Sequence, residues 1–119
     1  ILHALDEGAL RPLASDDEAR VRAAAPDDFA ALHRLYAAHT TRVDRTLGES
    51  RALLAGPGVD TLVLERGRDV VAYACVGRGT DLAGCMHEWG GASDDVLLLA
   101  REHLRLRTLA GESSPLYLM

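Results

Sequence analysis

Apolar residues recur three and four apart over Phe29, Leu32, Leu35 and Tyr36. That spacing puts them on one face and predicts an amphipathic helix running to about Ala38. Its start is marked by Ala25-Pro26-Asp27-Asp28. Proline lacks a donor that the first turn would leave unused, and acids suit the positive end of the helix. Val21-Arg22-Ala23-Ala24, just before it, predicts a short strand, and Leu47 to Leu54 predicts a second helix stopped by Gly56-Pro57-Gly58. The pattern then shifts to short apolar runs, Thr61-Leu62-Val63-Leu64-Glu65 and Val70-Val71-Ala72-Tyr73-Ala74-Cys75-Val76, separated by Arg66-Gly67-Arg68-Asp69. Runs of this kind around a glycine-containing connector predict an antiparallel hairpin. Gly77-Arg78-Gly79-Thr80-Asp81 reads as a further turn, leading to a third strand near Ala83 to Trp89. After Gly90-Gly91-Ala92-Ser93 a long helix is predicted from about Asp94 to Thr108, with Ser93 as its cap and Gly111 as its stop. Leu97, Leu98, Leu99, Leu104 and Leu106 fill more than one stripe, so this helix should be covered on two sides, by a sheet and by a second domain or subunit. Pro115-Leu116-Tyr117-Leu118-Met119 predicts the beginning of another strand.

Residues 1–20 follow a different pattern. Leu2, Leu5, Leu10 and Leu13 suggest one or two helical turns, while Pro12 and Ser15-Asp16-Asp17-Glu18 suggest a linker. We read this stretch as an N-terminal arm or interdomain linker ahead of a domain at residues 21–119. The chain opens at Ile1 rather than methionine, and is read as a piece of something longer. The order strand, helix, helix, three strands, helix, strand predicts an α/β (α+β) fold, a mostly antiparallel sheet flanked by helices and incomplete at the C-terminus. Such a sheet leaves an edge that something should cover.

Composition narrows the function classes. With 119 residues, 48% hydrophobic and 26% charged, the chain suits one modest domain with a real core. A formal charge of −5 argues against a nucleic-acid footprint. No apolar run approaches the ~20 residues of a membrane span and no secretory leader opens the chain. Cys75 and Cys85 form no disulfide framework, so reduced thiols and a cytoplasmic location are expected. Lysine, asparagine and glutamine are absent and all 13 basic residues are arginine. Scarce lysine and asparagine fit a GC-rich coding bias, so the lack of a catalytic lysine carries little chemical meaning.

The element order, together with Val21-Arg22-Ala23-Ala24-Ala25-Pro26-Asp27-Asp28-Phe29, the hairpin from Thr61 to Ala74, and His87-Glu88-Trp89-Gly90-Gly91 running into a helix, resembles the Gcn5-related N-acetyltransferase (GNAT) family. The resemblance covers about Val21 to Met119, and the last motif is similar to one half of tandem members. It implies acyl-CoA-dependent transfer of an acetyl group to an amine, by direct attack on the thioester. It implies acetyl-CoA as cofactor, its pyrophosphate on backbone donors at the helix N-terminus, where Gly90, Gly91 and Ser93 stand. Glu88 matches the carboxylate that accepts the amine's proton; the alternative is a strand residue paired with an arginine or facing solvent. The implied partners are a second GNAT-like domain or another subunit, and a small-molecule or peptide amine as acceptor, with no nucleic acid and no membrane.

Two features depart from the family pattern. Only four residues separate strand from helix, none of them basic, and Asp94 and Asp95 occupy the first helical turn. An alternative is therefore a degenerate, non-catalytic half that serves as scaffold or cleft wall. Other constellations carry less. Cys85 and His87, two apart on a strand, would share a face and offer two metal ligands, short of the three or four a site needs. The two cysteines sit among apolar residues, as structural thiols do. Tyr73 and Tyr117 read as core or cleft-lining residues. Gly77-Arg78-Gly79-Thr80-Asp81 lacks the lysine and the strand-to-helix setting of a phosphate loop.

Overall fold

A computed structural model describes residues 3–5, 19–39, 46–54, 58–78, 81–111 and 116–118. The elements are β1 (His3–Leu5), β2 (Ala19–Ala23), a 3-10 turn (Pro26–Asp28), α1 (Phe29–Ala37), α2 (Leu47–Leu54), β3 (Asp60–Arg66), β4 (Asp69–Arg78), β5 (Asp81–Gly91), α3 (Ser93–Leu109) and β6 (Leu116–Leu118). The strands form one sheet in the order β1-β6-β5-β4-β3-β2. All neighbours are antiparallel except β5 and β6, which run parallel on either side of α3. The expected α+β class, a mostly antiparallel sheet with helices against it, is what the chain adopts.

Helices lie on both faces because the central strand is apolar on both. Ala72 to Val76 are all buried, alternating between two clusters. On one face Phe29, Leu32 and Tyr36 of α1 pack against Val63, Tyr73 and Cys75. On the other, Val96, Leu99, Ala100 and Leu104 of α3 cover Leu64, Ala72, Ala74, Val76, Met86 and Leu116. Leu97 and Leu98 join the edge of that second cluster. The far side of α3 carries Leu106, 45% exposed, and Leu109, 72% exposed. The β3–β4 hairpin turns at Gly67-Arg68, where Gly67 takes a φ of 65° that disfavours other residues.

Two expectations need correction. The helical turns expected near the N-terminus do not form at His3–Leu5, which is a strand paired with β6, Ala4 opposite Tyr117. It therefore covers the flank of β6 away from β5. The linker features at Leu10, Pro12, Leu13 and Ser15 to Glu18 lie outside the described residues. Ser93 is not the cap of α3 but its first residue. The N-cap is Ala92, in an extended conformation, with no side-chain cap bond. The stop at Gly111 does hold: the helix ends at Leu109 and Gly111 adopts a φ of 88°. One feature was not foreseen. Thr46 caps α2 through a reciprocal pair, Glu49 N–H to Thr46 Oγ1 at 3.1 Å and Thr46 N–H to Glu49 Oε1 at 3.2 Å.

The approach to α1 is fixed by charge. Arg22 on β2 forks onto Asp28, Nη1 to Oδ2 at 2.7 Å and Nη2 to Oδ1 at 2.9 Å, while its Nε donates to Glu65 on β3 at 2.7 Å. Asp28 is 8% exposed and also accepts from the Ala25 N–H at 2.7 Å. The Arg22 bonds hold its carboxyl below the ordinary range despite burial, which pushes the other way, and the Ala25 bond adds to the lowering.

This sets an acid dependence. Folding lowers the Asp28 pKa, so its stabilisation is complete above the unfolded carboxylate value of about 3.9 and is lost as pH falls through the folded value. Asp28→Asn should lower stability at pH 7 by about 1.5–3 kcal/mol and flatten the decline below about pH 4. Urea denaturation at neutral and acid pH reads both effects; an unchanged acid slope in the variant would show that Arg22 does not hold Asp28 ionised.

Candidate functional site

The site residues expected from sequence lie along the C-terminal half of β5 and the turn into α3. Strand β5 is irregular there. Cys75 pairs with Glu88 but Val76 pairs with Met86, so His87 is an extra residue, a β-bulge. The His87 ring secures the bulge, its Nε2 donating to the Gly77 carbonyl at 2.7 Å. The irregularity also ends the strict alternation on which a shared Cys85 and His87 face depended. Among the described residues no three His, Cys, Asp or Glu side chains cluster to hold a metal ion.

Beyond the bulge, Glu88 faces the α1 side of the sheet, in register with Cys75 on β4, which is itself in register with Thr61 on β3. Glu88 is half-buried. It accepts a hydrogen bond from the Tyr73 hydroxyl, 2.8 Å to Oε2. Tyr73 is fully buried, a core residue as expected, whereas Tyr117 is 38% exposed on β6. The sequence reading offered an arginine or solvent for Glu88 and missed the tyrosine.

Gly90 is buried opposite Tyr73. A Cβ placed on Gly90 would lie 2.5 Å from Tyr73 Cε1 and 3.2 Å from Leu35 Cβ. The missing side chain is therefore the space the Tyr73 ring occupies. Gly91 has a φ of 115°, and a Cβ there would meet the Val71 carbonyl at 2.5 Å. Packing and backbone geometry account for both glycines.

The N-terminus of α3 follows directly. Its first intrahelical bond runs from Val96 N–H to the Ala92 carbonyl at 3.0 Å, leaving the N–H groups of Ser93, Asp94 and Asp95 at the open end. Ser93 and Asp94 are exposed. Asp95 is half-buried and ion-paired with Arg66 from the end of β3, Nη2 to Oδ1 at 2.9 Å. Donors for an anion are thus present with no side chain capping them, and one of the two first-turn carboxylates already has a cation.

A separate cleft of about 380 Å³ lies at the start of β3, bordered by Ala23, Ala24, Pro26, Phe29, Thr61 and His103. None of Glu88, Gly90, Gly91 and Ser93 lines it. Cys75 and Cys85 are buried and form no disulfide, and burial pushes the Cys85 thiol up, away from the reactive thiolate. Among the described residues no helix is long and apolar enough to cross a membrane.

No family model matches the chain, and neither does any curated protein. Among solved structures it is similar to a functionally unknown conserved protein from Staphylococcus epidermidis ATCC 12228, with a TM-score of 0.70 at 10% identity, over 98% of this chain and 48% of that one. The chain thus spans about half the length of that protein. At such low identity the likeness establishes the fold alone.

The Tyr73 and Gly90 contact is directly testable. Gly90→Ala should cost about 1–3 kcal/mol through overpacking, and much of that loss should vanish in a Tyr73→Leu background, where the ring is gone. Thermal melts of the two single variants and the double variant give the coupling; additive losses would place the Tyr73 ring elsewhere.

Proposed function

We propose that this chain is an acetyltransferase module of the GNAT type, transferring an acetyl group from acetyl-CoA to an amine. The observation that carries the reading is the sequence of features along one strand and its exit. A half-buried carboxylate, Glu88, sits on β5 beside a bulge, and five residues later an uncapped helix N-terminus begins, within the parallel β5–α3–β6 unit. Among the described residues β5 pairs with β6 only at Cys85 and Met86. Trp89 and Gly90, beyond them, have their described partners on β4.

The fit to acetyl-CoA can be judged from the donor set. The open N–H groups of Ser93, Asp94 and Asp95 suit a phosphate, and the Arg66 ion pair offsets the charge of Asp95. Gly90 is filled by Tyr73, so its part is to let the strand pass under the ring; Gly91, exposed, leads into the donors. When bound, acetyl-CoA supplies an activated thioester. The chain's own contribution is to hold the anion at α3 and to place Glu88 where it takes one proton from an ammonium acceptor, directly or through water, freeing the nitrogen lone pair for attack. A cytoplasmic setting, with a second such domain or another subunit alongside, belongs to the same reading.

A second reading, a non-catalytic half supporting a partner domain, is favoured by one observation. Asp94 is exposed in the first turn of α3, and residues 90–93 carry no cation to offset it.

Titration with acetyl-CoA followed by backbone amide NMR separates the two. The acetyltransferase reading expects saturable shifts centred on Gly91 and Ser93, and Asp94→Asn should tighten binding about two- to five-fold by removing a carboxylate worth ~0.3–1 kcal/mol at a helix end. A folded spectrum that does not respond at millimolar acetyl-CoA would leave the scaffold.

A further inference from the structure

We propose that Tyr73 is a positioning residue for Glu88, its hydroxyl fixing the carboxylate and stabilising the ionised form that accepts a proton. The inference rests on Glu88 being the base of the acyl-transfer reading. Three observations converge on it. The Tyr73 ring is fully buried against α1 and is seated over Gly90, so its hydroxyl has one direction in which to point. It points at Glu88 Oε2, 2.8 Å away. The backbone that presents Glu88 is itself fixed by the bulge, which His87 ties to the Gly77 carbonyl on β4. A carboxylate on an exposed strand would sample several rotamers. This one is held from its own side of the sheet by a donor that cannot move away.

The chemical consequence follows from charge. A hydroxyl donor stabilises the carboxylate over the carboxylic acid and so offsets the effect of partial burial, which favours the acid. A general base must be ionised before its substrate arrives, and this bond favours that form. Among the described residues, the other titratable groups on that side of the sheet include Cys75 on β4, His33 and Tyr36 on α1, and the ion-paired Arg22, Asp28 and Glu65 at the approach to α1, with His87 beside Glu88 on its own strand. Tyr36 and Cys75 are buried in the cluster around Tyr73, and His33 is bonded through Nδ1 to Ser50 Oγ at 2.8 Å.

The test is the titration of the Glu88 carboxyl carbon by NMR in the full chain, assigned by its loss in Glu88→Gln. Tyr73→Phe keeps the ring over Gly90 and removes only the hydroxyl. The Glu88 pKa should rise by about one unit, the size expected for losing one hydrogen bond to a charged group. The acid limb of the kcat/KM profile for acetyl transfer should move by the same amount, with KM for acetyl-CoA unchanged. An unshifted Glu88 titration overturns the positioning role, whatever the activity. A shifted titration in a chain whose wild type shows no transfer overturns the acyl-transfer reading and the catalytic purpose with it. Should Tyr73→Phe fail to fold, 3-fluorotyrosine at position 73, a stronger donor of nearly the same shape, should lower the Glu88 pKa, and an unchanged value overturns the proposal.

Discussion

The middle of strand β4 has no solvent face, and the architecture follows from that. Five consecutive buried residues, Ala72 to Val76, demand a layer on each side of the sheet. The two layers differ because the two faces differ. Ala72 and Ala74 are small, leaving room for the leucines of α3 to fill the space above them. Tyr73 and Cys75 face α1, and a tyrosine ring in a closed layer needs room from a neighbour. Gly90, directly opposite on β5, gives it that room. Once the ring lies over Gly90, the hydroxyl is carried to Glu88. The candidate site is thus an outcome of how the middle of the sheet packs, rather than a loop added at its rim.

That dependence changes what the paired glycines mean. Two glycines before a helix suggest close approach of a phosphate, and the resemblance to acetyltransferases leads to the same expectation. In the folded chain both are explained without a ligand: Gly90 by an aromatic ring, Gly91 by a φ of 115° and the Val71 carbonyl beside it. What remains for an anion is the open end of α3, where Ala92 supplies no capping oxygen. A serine or aspartate at that position would satisfy one of the first-turn donors from within the chain. The alanine leaves all of them to water or to a ligand.

The readable part of the chain was the part governed by local rules. The Leu47–Leu54 helix, the strand about the Gly67 turn and the buried face of α3 each depend on periodicity or on a turn residue within a few positions. What escaped is non-local. His3 meets Leu118 from the opposite end of the chain, so its residues look like the start of an amphipathic helix until β6 is present to pair with them. Arg66 and Asp95 are 29 residues apart and carry no local signature. The bulge at His87 is invisible without the register of β4. The Tyr73–Gly90 pairing is hidden for the same reason: counted back from Arg78 opposite Asp81 without the register shifts, Tyr73 would face Met86. The Thr46-Leu47-Gly48-Glu49 capping box, by contrast, is legible before the helix it begins.

The electrostatics at the start of α3 separate a binding site from a finished helix end. Acids in a first turn stabilise a helix whether or not a ligand comes, so Asp94 and Asp95 alone would describe a self-sufficient terminus. The structure treats them differently. Asp95 turns toward Arg66, forming an ion pair that joins the helix to the end of β3 and spends its charge on packing. Asp94 remains exposed. A terminus of this kind has open N–H donors and one remaining carboxylate, with attraction and repulsion of similar size over the same few ångströms. Because each such interaction amounts to less than about 1 kcal/mol at an exposed helix end, neither settles affinity by itself. Anion binding at such a terminus would depend on how dry the junction of β5 and α3 is, since exclusion of water strengthens the helix-end interactions that exposure keeps small.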